Sequence, residues 1–401
     1  MNLVGAKEKR GSGEKEVTLS SKGDVGSLNP RAEDYESREH TAISDGQKQI
    51  PNYLTSRHKS FKGSFCVLTE SRFHPDSYKV TTEDGAGTKL FLAQWLNNYQ
   101  TIGFDLVAMN ANDYAIMGKV CPDTINLYFA CQSKIEEHKM GEIMKGIVGA
   151  LKKCDVSDIL DDAEVINFGK LETASLDEMI TGPVPHYGFD IGCGMNGFIK
   201  KDDMPLWIPK KGDIIVGFES SGLHSNGYTA ARHTLLTPNV DPRSEWKSQY
   251  RGKYSLSDLV PNTNQTIGQA LLEPTLIYSR MIAEIAANSN FVFGVNITGN
   301  GLRNFNRFGN DVSFIIEDPF EPKPIHNLVK EEANYDVKTA FTKLNMGMGF
   351  AIVLRDNGDA AFEIAKKYNI AAKKIGYVGL ASNVNKTILV KDNKSYEFEG
   401  Y

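Results

Sequence analysis

Beyond its first fifty residues, this chain alternates between short apolar runs of β type and longer stripes of helical period. Apolar and β-branched residues over 61–69 and 77–82 predict two strands, and 103–117 predicts a helix that is apolar almost all round and therefore buried. A strand over 125–131 follows. Met140, Ile143, Met144, Ile147, Val148 and Leu151 then fall at i, i+3, i+4, i+7, i+8 and i+11, the core stripe of an amphipathic helix. Strands are expected over 163–168 and 188–199. The polar, proline-punctuated stretch 200–211 reads as a boundary. Past it, the pattern predicts a strand over 213–218, helices over 228–236, 274–287 and 359–368, a strand beginning in 344–350, and a terminal strand pair around 374–390. Strands and helices thus mix along the chain, an α+β class, divided into a polar arm (1–50), one domain over 51–205 and a second over 206–401.

Composition narrows what such a fold can do. The 401 residues suffice for two domains with their own cores, and 41% hydrophobic content fits a folded, soluble protein. Lys and Arg number 45 against 50 Asp and Glu, a net charge of −5, with no basic cluster in the folded part, so nucleic acid is not an expected partner. No apolar run reaches the roughly 18–20 residues that span a bilayer, and no signal-peptide core opens the chain. A cytoplasmic protein without a membrane partner is expected. Cys66, Cys121, Cys131, Cys154 and Cys193 show no Cys-x-x-Cys or zinc-finger spacing and read as reduced thiols without catalytic or metal roles. Residues 1–50 carry few large apolar side chains. They read as a flexible tail or as an arm that orders over a ligand, with Gly23-Asp24-Val25-Gly26 as its phosphate-facing turn.

The polar exceptions to this pattern carry the candidate chemistry. Thr82-Glu83-Asp84-Gly85-Ala86-Gly87-Thr88-Lys89 joins carboxylates, glycines, a hydroxyl and a lysine. Such a stretch suits a nucleotide polyphosphate, with exposed backbone N–H groups, an Asp for a divalent cation and a Lys for phosphate oxygens; a tight hairpin with a solvated Lys fits it as well. Within the apolar helix, Asp105 and Asn112 lie about two turns apart on nearly one face, with Asp113 beside it. A metal–phosphate site would satisfy them, as would capping and local backbone bonds. Glu172 and Thr173 sit at an expected strand end. Ser220 to Gly227, ahead of a helix, gathers donors around His224, which could orient a substrate, move a proton, or simply cap its own loop. Asn296 to Leu302 forms a second Gly/polar turn leading into a helix, and Gly347 and Gly349 mark close backbone approach.

Six of these motifs occur in the order found in the aminoimidazole ribonucleotide synthetase (phosphoribosylformylglycinamidine cyclo-ligase) family, which residues 60–380 resemble. They are Asp84-Gly85-Ala86-Gly87-Thr88-Lys89, Ile102 to Met109 with Asn112-Asp113, Ser220 to Tyr228, Pro274-Thr275-Leu276-Ile277-Tyr278, Ile297-Thr298-Gly299, and Asn345-Met346-Gly347-Met348-Gly349. The resemblance implies a two-domain fold, with an N-terminal mixed sheet that pairs in a homodimer and a C-terminal α/β domain. It also implies an ATP-dependent ligase of purine biosynthesis that acts on formylglycinamidine ribonucleotide. By resemblance, Asp84, Asp105 and Asp113 with Asn112 hold Mg2+ and the ATP phosphates, Gly85, Gly87, Thr88, Lys89 and Glu172 contact the nucleotide, and Asp84, Lys89 and His224 serve catalysis. Ser221, His224, Ser225, Asn226, Thr298 and Gly299 would face the substrate.

Three departures stand against the pattern. Lys170-Leu171 replaces the family's Gly-Gly before Glu172, Asn296 replaces its usual His with Asn300 in place of a glycine, and the Gly-rich N-terminal arm is not recognisable. Other ATP-using members of the superfamily, thiamine-monophosphate kinase in particular, and a non-catalytic nucleotide-binding paralogue remain as alternatives. Selenophosphate synthetase would require a reactive Cys near the arm, and the hydrogenase-maturation enzyme a C-terminal Cys; the first Cys here is Cys66 and the last residue is Tyr401.

Overall fold

The computed structural model describes residues 41–59, 61–132, 137–381 and 383–400. Residues 41–48 are helical (α1) and exposed, with Lys48 paired to Asp45 at 2.7 Å. The expected phosphate-facing turn at Gly23 to Gly26 lies outside the described residues.

Residues 55–401 pack as one compact unit built on two sheets. The first comprises β1 (His58–Lys59), β2 (Val67–Glu70), β3 (Ser77–Gly85), β4 (Cys121–Cys131), β5 (Asn167–Ser175) and β6 (Phe189–Lys200) in the order β1-β2-β3-β6-β4-β5. All its pairs are antiparallel except β4 with β5. Two helices follow β3, α2 (Leu90–Leu96) and α3 (Gln100–Ala115), and α4 (Glu137–Cys154) follows β4. The core-facing side of β6 alternates strictly, with Phe189, Ile191, Cys193, Met195 and Ile199 buried, because α3 lies across β3 and β6 on that face. Residues of the opposite face, Val67, Asn126 and Tyr128, remain exposed.

The second sheet comprises β7 (Ile214–Glu219), β8 (Phe291–Asn296), β9 (Val312–Ile316), β10 (Met348–Leu354), β11 (Ala372–Leu380), β12 (Lys386–Lys391) and β13 (Lys394–Glu399) in the order β13-β12-β9-β11-β7-β10-β8. Every residue of β8 and β10 is buried, as expected of continuous apolar strands covered on both faces. Its helices are α5 (Tyr228–Leu235), α6 (Ser244–Lys247), α7 (Ile267–Leu272), α8 (Ser279–Ala287), α9 (Pro324–Glu332), α10 (Val337–Lys343) and α11 (Asp359–Lys367).

Several expectations shift. The strand expected over 163–168 is instead β5, which carries Glu172 in its interior, not at its end. The helix expected from 274 starts at Ser279, and the turn after Asn296 leads into a 3-10 helix, Gly301–Arg307. The terminal pair is three strands; β11 and β12 both flank β9, and β12 pairs with β13. On α4 the buried line runs through Ile143, Ile147, Ala150 and Cys154, and Val148 is 47% exposed. All five cysteines are free, and burial pushes the Cys66 and Cys154 thiols up to about 12, which keeps them protonated.

Candidate active site

The Gly-rich stretch is a strand running into a helix and not a hairpin. β3 carries Asp84 and Gly85 to its end, Gly87 takes φ +61°, and a 3-10 turn Gly87–Lys89 feeds α2. A left-handed φ there is costly for any side chain, so glycine sets the direction of the turn. One consequence is that Thr88 points outward, its hydroxyl 3.4 Å from that of Thr229 on α5, while Lys89 points inward.

Lys89 is fully buried. Its ammonium lies 2.9 Å from Asp105, 3.1 Å from the His224 carbonyl and 2.5 Å from the Glu273 carbonyl, with the Tyr228 ring centroid at 5.4 Å. Burial pulls its pKa down, opposed by the Asp105 charge. Asp105, also fully buried, accepts from the Thr275 N–H at 2.8 Å and the Thr275 hydroxyl at 2.7 Å. One turn pair further along α3, Asn112 donates to the Leu276 carbonyl at 2.8 Å and accepts from the Tyr278 N–H at 2.9 Å. The polar face of α3 thus grips one extended segment, 273–278. The Lys89 ammonium, expected at phosphate, and the Asp105 carboxylate, expected at a metal, are here paired with each other, with the His224 and Glu273 carbonyls and with Thr275.

The 220–226 loop leans on the same segment. Ser221 donates through its hydroxyl to the Pro274 carbonyl at 2.7 Å, and the Ser225 and Thr275 hydroxyls are 3.0 Å apart. His224, at φ +60° and 3% exposed, accepts the Ser221 N–H on Nε2 at 3.3 Å. Burial first, then the Lys89 charge and His326, push its pKa down to about 3, so the ring is neutral. A side chain at Gly349 would overlap the His224 ring and the Tyr278 hydroxyl, which explains the close backbone approach there. His224 thus bonds to its own loop, one of the alternatives open in the sequence. Beneath the loop, Asn345 accepts from the Ser220 hydroxyl at 3.0 Å, donates to the Gly222 carbonyl at 2.9 Å and lies 2.7 Å from His326 Nε2. Sequence reasoning gave Thr275, Thr229 and the His326–Asn345 pair no role; only the quoted motifs around Thr275 and Asn345 pointed their way.

The remaining residues form an open side. Asp84 ends β3, its Oδ1 accepting the Gly85 N–H at 2.7 Å. Asp113 accepts from the Asn296 amide at 2.8 Å. Burial raises the Asp84 pKa, and burial with the neighbouring Asp84 charge pushes Asp113 up to about 7, against the Asn296 bond and Arg307. The positive charge acting on Asp113 is that of Arg307. Asn226 accepts the Gly299 N–H at 3.2 Å, and Asn304 holds the Gly299 carbonyl at 2.8 Å, which places the Thr298–Gly299 turn beside the 220–226 loop. Glu172 is elsewhere. It is exposed and paired with Lys170 at 2.5 Å, which holds its carboxyl below the usual range. The row Gly85–Gly192–Tyr128–Glu172 puts it three strand spacings from the end of β3, roughly 14 Å. Among the described residues no group of three or more His, Cys, Asp or Glu is placed to hold a metal, so Asp84, Asp105 and Asp113 are not one cluster.

Two family descriptions match the two sheets in order. "AIR synthase related protein, N-terminal domain" covers residues 64–182, and "AIR synthase related protein, C-terminal domain" covers 210–385. Among solved structures, "AaThiL complexed with AMPPCP and TMP" is similar at 14% identity and TM-score 0.52, covering 91% of this chain and 96% of that one. "Crystal Structure of Hydrogenase Maturation Protein HypE in complex with ATP" is similar at 12% identity and TM-score 0.52, covering 81% and 85%. These likenesses define the class, a two-domain AIR synthase-like fold. Curated relatives narrow it. Phosphoribosylformylglycinamidine cyclo-ligase of Thermoplasma acidophilum is 32% identical over 75% of this chain and 80% of its own length, and that of Methanocaldococcus jannaschii is 31% identical over 78% and 82%. The chain belongs to the phosphoribosylformylglycinamidine cyclo-ligase family of AIR synthase-related proteins.

Proposed function

We propose that this protein uses ATP to convert formylglycinamidine ribonucleotide to aminoimidazole ribonucleotide, releasing ADP and phosphate. Similarity to curated cyclo-ligases over three quarters of the chain is the observation that carries this reading. The formyl oxygen leaves poorly as it stands. Transfer of the γ-phosphoryl group to it creates an iminophosphate, and the substrate's own amidine nitrogen then displaces phosphate and closes the ring. Because that nucleophile is tethered, the protein has mainly to position groups and stabilise charge.

The groups available for this are the carboxylates Asp84 and Asp113, with Thr88, Asn226, Thr298 and the Gly299 turn, and Asn296 orients Asp113. Asp84 and Asp113 fit a divalent cation because burial raises each carboxyl, for Asp113 more than the Asn296 bond and Arg307 lower it. Mg2+ held there would supply positive charge to the ATP phosphates. Lys89, Asp105, Asn112, Ser221 and His224 act one step back, fixing the loops on which these donors sit.

The open face of the first sheet suits a second copy of the chain, since Val67 and Tyr128 are 46% and 45% exposed on β2 and β4. A homodimer working in the cytoplasm follows from this reading. Among the described residues no helix is long and apolar enough to cross a membrane.

The test is ADP release from Mg-ATP with and without formylglycinamidine ribonucleotide. Substrate-dependent ADP with matching aminoimidazole product is the expected result; ATP binding without turnover would leave the fold class standing and remove the reaction. Thiamine monophosphate is the next substrate in that event, but the AaThiL structure is similar at 14% identity, which speaks to fold alone.

A further inference from the structure

Against the 273–277 segment lies a cleft of about 600 Å3 that neither Asp84 nor Asp113 lines. One wall is the end of α4, with Lys152 and Lys153; another is Arg280 on α8; the third is Tyr368 to Ile370 after α11. Its floor is Pro274, Leu276 and Ile277, side chains only partly buried. The volume falls in the range that accepts a small organic ligand.

The charges in this cleft are unequal: Lys152, Lys153 and Arg280 line it against a single carboxylate, Glu273. Arg280 is bound by Asp158 at 2.7 Å and by the Asp155 carbonyl. Neither Lys152 nor Lys153 has a carboxylate partner among the described residues, and the Lys153 ammonium stands 5.5 Å over the Phe104 ring, which also lines the cleft. Lysines at a helix C-terminus ordinarily need no ligand, since they complement the helix dipole. Here, however, they border a concavity floored by apolar and aromatic groups, a setting that offers an anion charge and its organic body a surface at once.

We infer that this cleft is a binding site for a small organic anion of the nucleoside monophosphate class, its phosphate on Lys152 and Lys153 and its body against Leu276, Ile277 and Ile370. The site is separate from the candidate active site but shares its floor. The backbone of 273–278 is held on its other side by Lys89, Asp105, Asn112 and Ser221. A ligand on the floor therefore restrains the same segment that braces the 220–226 loop.

The experiment is calorimetric titration of the full chain with AMP, with adenosine and inorganic phosphate as separate probes, and it needs no catalytic turnover. Saturable AMP binding, tighter than either fragment, is expected, weakened about tenfold or more in the Lys152→Ala/Lys153→Ala double variant. Lys145→Ala, on an exposed turn of the same helix, should leave it unchanged. AMP should also slow amide exchange in 273–278. No saturable AMP binding, or binding that the double variant leaves intact, overturns the inference; the latter result would place AMP elsewhere on the protein.

Discussion

Lys89 lies in a sequence that reads as a phosphate-binding turn, yet its ammonium ends on Asp105 and two carbonyls at zero exposure. Spacing shows which residues are close along the chain, but the direction of a side chain at the end of a 3-10 turn is set by what must be buried there. Replacing it, Lys89→Met, strands the Asp105 carboxylate and should cost about 3–5 kcal/mol in urea unfolding. An unchanged midpoint with weakened ATP binding would instead return Lys89 to the phosphates. Asp113 is the converse case. Its carboxylate is costly to the empty protein, so Asp113→Asn should leave thermal stability equal or slightly higher while ADP release falls about 100-fold, roughly 2.7 kcal/mol of barrier. Loss of stability in that variant would make Asp113 a structural residue.

Elements with a one-sided environment were the ones legible in the sequence. β6, α5 and α11 begin and end within a residue or two of their expected limits, since apolar period and flanking Gly or polar residues coincide there. β5 was displaced because an edge strand exposed on nearly every residue has no alternation to read. The helix expected from 274 lost its first turn because the N–H groups of Thr275 and Tyr278 bond to side chains of α3. Such long-range partners leave no local periodic signal. The His326–Asn345 pair was invisible for the same reason, though it holds the 220–226 loop through both Ser220 and Gly222. Removing it with Asn345→Ala orphans several buried groups and should cost roughly 3 kcal/mol, with faster amide exchange across 220–226. Exchange unchanged in that loop would show that the 273–278 segment suffices to hold it.

For the molecule as a whole, acid is the sensitive direction. His224 and His326 are held neutral, with pKa values pushed down to about 3 and about 4 by burial first. The unfolded chain binds protons near pH 6.5 that the folded chain refuses, so stability falls as pH drops from 6.5 toward 4, by about 1.4 kcal/mol per pH unit for each ring. Asp113, raised to about 7, is protonated earlier in the folded state and works in the opposite direction. In the Asp113→Asn background, unfolding free energies from urea at pH 7.5 and 5.5 should therefore differ by roughly 3 kcal/mol; equal values would mean that these rings titrate normally. Association is the other whole-molecule property. Tyr128→Lys puts a charge into the middle of the open sheet face, opposite Gly192, and should yield a monomer in analytical ultracentrifugation if that face pairs two copies. A dimer that survives would have to use another surface.

The grip of α3 on 273–278 also bears on descent. Asp105 and Asn112 lie in the half of the chain that builds the first sheet, and their partners lie in the half that builds the second, so neither half can drift or be exchanged alone without orphaning buried groups at the seam. A chimaera joining the first half of this chain to the second half of a cyclo-ligase about 31% identical would keep this join only where the other half carries the 274–278 motif along the same backbone path. The heritable unit is the pair, and recombination within the gene is constrained at a few polar contacts more than at the sheets themselves.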